Sequence, residues 1–270
     1  MKRAVVVTTY NRPDALAVVL AAYEKQRERD FEMIIADDGS TEETTRLVER
    51  FRERGTLQVR HVWHEDRGFR AAAIRNRAIA ATGADYIIFS DGDCIPLPDF
   101  VTRHLRLAEA GWFVAGNRLL LTREFTERVV RNPDSFQTWT RSSLFASCLK
   151  GDMNRWHPLL PLPLGRELRH LTARRWQGVM TCNIGVWRED LLKINGFDES
   201  YHGWGLEDSD LVIRLIRSGV HHKTARFAAP VIHLWHREHD RSTFRKNQDM
   251  LDKVLKSGRT EAQKGIRQAS

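Results

Sequence analysis

The chain has 270 residues, with 43 Lys or Arg against 35 Asp or Glu, a formal net charge of +8. A hydrophobic fraction of 41% and a charged fraction of 29% exclude long disorder and a fibre, and the length suits one large domain or a domain with an appended subdomain. No run approaches the ~20 apolar residues of a transmembrane helix, and Cys94, Cys148 and Cys182 are too widely spaced for a zinc or disulfide framework.

Residues 4–8 read as a short buried strand, after which Leu16, Val19, Leu20 and Tyr23 recur at helical spacing. The apolar run behind Lys2-Arg3 is too short for a signal peptide, and the three cysteines read as the reduced thiols of a cytoplasmic protein. Residues 33–36 are a second strand ending in Asp37-Asp38-Gly39-Ser40, and Ser40 with Glu43 predicts a capping box for a helix carrying Leu47, Val48 and Phe51. Residues 57–63 form a third strand, 71–81 a helix, and 86–90 a fourth strand running into Asp91-Gly92-Asp93. This alternation predicts an α/β fold: a mostly parallel sheet with helices on both faces and ligands beyond the carboxyl ends of the strands. The polar clusters at 8–11, 37–40 and 91–93 all fall at such ends.

Residues 118–175 are helical in places, Arg-rich, and broken by Pro158, Pro161 and Pro163. Regular structure returns over 180–187, and a helix after Gly205 carries Leu211, Val212, Leu215 and Ile216 on one face. Residues 231–233 look like a strand end, and Phe244, Leu251 and Leu255 predict a tail helix packed on the body. The charge follows this division: −1 over 1–117, +6 over 118–175, −2 over 176–225 and +5 over 226–270.

Asp91-Gly92-Asp93 reads either as a solvated turn or as a pair of hard oxygen ligands for Mg2+ or Mn2+, with a glycine that lets backbone approach a ligand. Asp38 can be part of a plain turn or accept from a nucleobase imide or ribose hydroxyl, and Tyr10 can stack on that base or be an ordinary surface ring. Gly203-Trp204-Gly205-Leu206-Glu207-Asp208-Ser209-Asp210 places acids in a first helical turn, where the macrodipole favours them. Capping does not call for Gly-Trp-Gly, whereas an aromatic wall beside a carboxylate suits a sugar whose hydroxyl proton is to be removed. His233 and His236 are either structural or metal ligands. Arg75 and Asn76 are either surface residues or, for Arg75, a diphosphate contact.

Together these motifs resemble a glycosyltransferase of the GT-A fold (Rossmann-like), similar to glycosyltransferase family 2. That half of the likeness rests on Val5-Val6-Val7-Thr8-Thr9-Tyr10-Asn11-Arg12, Asp37-Asp38-Gly39-Ser40, Arg75-Asn76 and Asp91-Gly92-Asp93. Asn195-Gly196-Phe197-Asp198-Glu199 and Trp204-Gly205-Leu206-Glu207-Asp208 resemble the galactosyltransferase-like half of chondroitin-type polymerases and β-1,4-galactosyltransferases. Leu206 stands where those galactosyltransferases carry glycine, which leaves both sugars open. The implied parts are a nucleotide-sugar half over 1–117, a helical basic insertion over 118–175, an acceptor and catalytic part over 176–236, and a basic helical tail over 237–270.

The resemblance implies that Thr8, Tyr10, Arg12 and Asp38 bind uridine diphosphate, with Arg75 on the diphosphate and Asp91 on ribose or metal. Asp93 and His233 would ligate Mn2+ or Mg2+, with His236 as an alternative. Asp208 would be the general base, Glu207, Trp204 and Gly205 would form the sugar and acceptor site, and Asn183 and Trp187 would line it. The expected reaction is inverting transfer from a UDP-sugar to a saccharide or lipid-linked acceptor in bacterial surface polysaccharide or lipopolysaccharide synthesis. The basic, aromatic insertion reads as a surface for an anionic membrane, as a site for a phosphorylated lipid-linked acceptor, or as a solvated basic face. A sugar nucleotidyltransferase is the alternative, but residues 8–13 are no Gly-rich triphosphate loop. Nucleic-acid binding is disfavoured because the basic stretches lie apart from the acidic motifs.

Overall fold

A computed structural model describes residues 1–237 and 240–268. The first half alternates β1 (Arg3–Thr9), α1 (Pro13–Tyr23), β2 (Glu32–Asp37), α2 (Glu42–Glu53), β3 (Gln58–Trp63), α3 (Ala71–Ala81) and β4 (Tyr86–Asp91). There follow β5 (Cys94–Pro96), α4 (Phe100–Leu107), β6 (Trp112–Ala115), β7 (Arg118–Leu120), α5 (Arg123–Arg131), α6 (Arg141–Leu149) and α7 (Arg166–His170). The chain continues through β8 (Asn183–Trp187), α8 (Arg188–Lys193), α9 (Glu207–Arg217), β9 (His221–Thr224), β10 (Val231–His233) and α10 (Phe244–Lys256).

Seven strands form one sheet in the order β3-β2-β1-β4-β8-β6-β9, and β5-β10-β7 form a second, three-stranded sheet. Strands β3, β2, β1 and β4 run parallel, and β8 is antiparallel to both β4 and β6. The parallel strands are near-continuous apolar runs because both faces are covered. Val5 and Val7 sit in one core cluster and Ala4 and Val6 in the other, so alternate residues of β1 feed opposite layers. Register then delivers the polar ends together: Thr8 lies opposite Asp91 and Thr9 opposite Asp37, at the carboxyl edge.

The structure departs from the sequence expectations at several points. Ser40 caps no helix. Thr41 occupies the N-cap of α2 without a side-chain cap bond, and Ser40 Oγ instead accepts from the Asn11 N–H. The stretch 118–175 holds helices, as expected, but opens with β7, which pairs in register with β10. In the tail, α10 buries Asn247, Leu251 and Val254 rather than Leu255, which is 40% exposed. The chain then returns over α8 and α9: Arg259 pairs with Asp198 and Asp210, and the Ala262 and Ile266 N–H groups donate to the Ile194 and Asn195 carbonyls.

Candidate active site

A cavity of about 880 Å3 opens beyond the carboxyl ends of β1 and β4. Thr8, Asp91, Asp93, Glu207, Asp208 and His233 all line it, so residues distant in sequence converge on one space. Tyr10, Trp204 and Trp235 supply aromatic wall, the expected residues Arg12, Asp38, Arg75, Gly205 and His236 line it too, and so does Arg118, which no motif marked.

Arg75 is the hub. It projects from α3 with a side chain only 5% exposed, donating from Nε to Thr8 Oγ1 (3.1 Å), from Nη1 to Glu207 Oε1 (3.0 Å) and from Nη2 to Asp91 Oδ1 (3.3 Å). One guanidinium thus ties the ends of β1 and β4 to the start of α9. The fork geometry of arginine suits such a three-way contact. Its nitrogens are engaged inside the protein rather than presented to a diphosphate. The neighbouring Asn76 faces the other way, accepting from the Phe197 N–H and donating to the Phe197 carbonyl, which seats the Asn195-Gly196-Phe197 turn.

The acids respond to this packing. Burial, reinforced by Asp208 and opposed by Arg75, pushes Glu207 up to about 7. Burial, with Asp93 and Asp208 adding and Arg75 opposing, pushes Asp91 up to about 6. Glu207 Oε2 is buried and has no hydrogen-bond partner among the described residues. Asp208 is less enclosed, and its Oδ2 accepts from the N–H (3.2 Å) and hydroxyl (3.4 Å) of Thr181.

The loop before α9 explains its glycines. Gly203, Gly205 and Leu206 have φ of +72°, +100° and +77°. A Cβ on Gly203 would come within 2.0 Å of Thr243 Oγ1. Leu206 adopts the same left-handed backbone, at ~1–2 kcal/mol for an L residue. The cost is offset by packing against Ile213, Leu251 and Val254. Trp204 stacks on Phe244 with centroids 5.9 Å apart, and Arg241 lies 5.0 Å from its ring centre.

Asp93 Oδ2 lies 3.5 Å from His233 Nε2 and 3.6 Å from His236 Nε2. Asp93, Cys94 and His233 have donor atoms within 4.8 Å of one another. Burial, partly countered by Asp93, holds the His233 imidazole below its usual range, which keeps its nitrogen free to ligate.

Other expected residues sit differently. Asn183 does not line the cavity: its Nδ2 donates to the carbonyls of Asn117 and Ala229, and its Oδ1 accepts from His104. Trp187 lies at the far end of β8, donating to the Glu109 carbonyl. Asn183 is buried and Trp187 half-buried on β8, whose antiparallel pairing sequence periodicity could not orient. Asp38 is 3% exposed, with one oxygen on His64 and the other accepting from the Arg70 N–H. Tyr10 is 42% exposed, its hydroxyl on Asp66, and Arg12 pairs with Asp14. Thr181, which holds Asp208, and Trp235, which walls the cavity, belong to no motif and carried no signal.

A Rossmann-like sheet whose carboxyl edge carries an Asp-x-Asp, opposed by an acid-headed helix, defines a glycosyltransferase of the GT-A fold. The chain matches the family model described as Glycosyl transferase family 2 over residues 4–159, and "N-terminal domain of galactosyltransferase" over 165–239. It belongs to glycosyltransferase family 2. Among curated relatives it is 30% identical to validoxylamine A glucosyltransferase of Streptomyces hygroscopicus, over 80% of this chain and 51% of that protein. It is 26% identical to chondroitin synthase of Escherichia coli, over 83% and 33%. The chain thus spans about half or less of the length of these relatives. The fold is shared with a mannosyltransferase from Pyrobaculum calidifontis in complex with GDP-Man and Mn2+ (TM-score 0.64, 17% identity, 95% of this chain and 64% of that). It is shared also with TarS 1-349 of S. aureus in complex with UDP-GlcNAc (TM-score 0.58, 12% identity, 100% and 69%).

Proposed function

We propose that the chain transfers a hexose or N-acetylhexosamine from a UDP-sugar to a saccharide acceptor with inversion, in bacterial surface polysaccharide or lipopolysaccharide synthesis. The observation that carries this reading is the shared cavity: Asp91 and Asp93 on one side, Glu207 and Asp208 on the other. Names of relatives that polymerise or transfer sugars, and a fold neighbour holding UDP-GlcNAc, support it.

Asp208 takes the proton of an acceptor hydroxyl, which attacks the anomeric carbon opposite the nucleotide. Thr181 keeps that carboxylate aimed, and the partnerless Glu207 Oε2 accepts from a sugar hydroxyl. Tyr10 stacks on the uracil beside Thr8, and Asp38 shapes the same subsite through Arg70. Trp204 and Gly205 bound the acceptor side.

Asp93 and His233, with His236 and Asp91 beside them, would hold Mn2+ or Mg2+. The donor chemistry fits, since carboxylate and imidazole suit Mn2+. The Cys94 thiol, pushed well above its usual range by burial, stays protonated and a poor ligand. Bound there, the cation supplies charge neutralisation to the diphosphate.

A lipid-linked acceptor and a peripheral position on an anionic membrane extend the proposal. Phe145 and Trp156 meet edge-on at 5.4 Å, yet are 39% and 42% exposed. Leu149 beside them is 71% exposed, and the surrounding stretch carries +6. No described helix is long and apolar enough to cross a membrane.

A thermal-shift panel of nucleotide sugars with Mn2+, followed by product analysis, tests the core reading. Stabilisation by a UDP-sugar and release of UDP support it, whereas pyrophosphate release would make the chain a nucleotidyltransferase. Liposome flotation with and without anionic lipid tests the membrane extension, and no lipid dependence would remove it.

A further inference from the structure

The cavity poses a charge problem. Five carboxylates line it, Asp38, Asp91, Asp93, Glu207 and Asp208, and the buried arginine among them, Arg75, is engaged by Thr8, Asp91 and Glu207. A nucleoside diphosphate entering this space brings further negative charge. Transfer adds more: the bond from the anomeric carbon to the β-phosphate oxygen breaks, and its electron pair stays on phosphate. The acceptor oxygen forms the new bond, and its proton passes to Asp208. A cation that faces the site and is not already paired is therefore needed beside any metal.

Arg118 meets that need. It opens β7, where Leu119 is fully buried in the core, so the strand alternation turns Arg118 and Leu120 to the other face. Both line the cavity. The backbone there is fixed by pairing with β10 and by the Arg155 guanidinium donating to the Arg118 carbonyl. Among the described residues the Arg118 side chain makes no ion pair, whereas Arg12 is held by Asp14, Arg241 lies over Trp204, and Arg237 is exposed on a stretch outside any helix or strand. Arg118 shares the cavity lining with Asp91, Asp93 and His233, and the pairing of β7 with β10 brings it beside the strand that carries His233.

We propose that Arg118 grips the β-phosphate of the departing nucleoside diphosphate, the role that Arg75 is too buried and too occupied to fill. This rests on the sugar-nucleotide reading above. A strand-borne arginine offers a preorganised fork for two phosphate oxygens, and its hold tightens as negative charge develops on them.

The test compares UDP and UMP binding, by titration calorimetry at saturating Mn2+, in the wild type, Arg118→Ala and Arg118→Lys. A charge-assisted hydrogen bond to the β-phosphate predicts that Arg118→Ala weakens UDP ~10- to 100-fold and leaves UMP within about twofold. Arg118→Lys keeps charge without the fork and should fall between. In turnover, Arg118→Ala should lower kcat by ~100-fold or more. Equal weakening of UDP and UMP, or unchanged UDP affinity in a variant with wild-type thermal stability, would overturn the assignment. A wild type that binds neither nucleotide would instead bring down the sugar-nucleotide reading itself.

Discussion

Arg75 Nη1 lies 3.0 Å from Glu207 Oε1, an ion pair that reaches across 132 positions of the chain. Arg75 belongs to the segment matching family 2, and Glu207 to the segment matching the galactosyltransferase model. The two matched regions are therefore joined in the middle of the site, by a buried charge pair. Removing one partner of such a pair leaves an uncompensated buried charge. Arg75→Ala should destabilise the fold by ~3–5 kcal/mol. The loss should be larger at pH 8, where Glu207 and Asp91 ionise, than at pH 5. Urea unfolding at both pH values checks this, and a wild-type midpoint at pH 8 would refute it.

Asp208→Asn removes the base but keeps the contact with Thr181. Turnover should drop by ~10²–10⁴, with UDP affinity unchanged. Steady-state kinetics beside calorimetry separate the two quantities, and undiminished kcat would take the role away from Asp208.

Asp93→Ala should abolish the Mn2+-dependent part of UDP binding, and a chelator should have the same effect on the wild type. His233→Ala should weaken Mn2+ affinity as well, His236→Ala less. UDP bound equally well with chelator present would end the metal assignment.

Glu207 has a folded-state value of about 7 against an ordinary 4.5, with burial as the main cause. A carboxyl raised in this way favours the folded state below about 4.5, and that contribution is lost as pH rises through about 7. Glu207→Gln, neutral at every pH, should therefore gain stability relative to the wild type between pH 5 and pH 8. Thermal melts across that window give the difference, and a gap that stays constant or narrows with pH would contradict the assigned shift.

The sheet was legible because β1, β2 and β4 are short apolar runs that end in polar clusters, and a doubly covered parallel sheet has that signature. That Asp93, Glu207 and Asp208 face a cavity was legible for a related reason: glycines beside acids mark backbone turned towards open space. Arg75 was visible as a site residue, but not its task, because a bond to Glu207 spans 132 residues and leaves no local pattern. Asn183 misled, since an amide on a strand reads alike whether it faces a pocket or, as here, three internal partners. The strands β5, β7 and β10 are three residues each, too short for periodicity, and Arg118 was hidden within the charge of its stretch.

The return of the chain over 259–267 bears on biogenesis. Asp198 and Asp210 are fully buried acids whose shared partner is Arg259, and the Asn195 side chain accepts from the Arg267 N–H. A nascent polypeptide that has reached only residue 256 carries the Asp-x-Asp and α9, yet leaves those two acids without that guanidinium. On the ribosome, α9 has its core packing and the Arg214–Asp210 pair but gains the Arg259 support only when this segment emerges. Competence to bind substrate should thus be acquired late and in one step, rather than accumulated as the sheet is made.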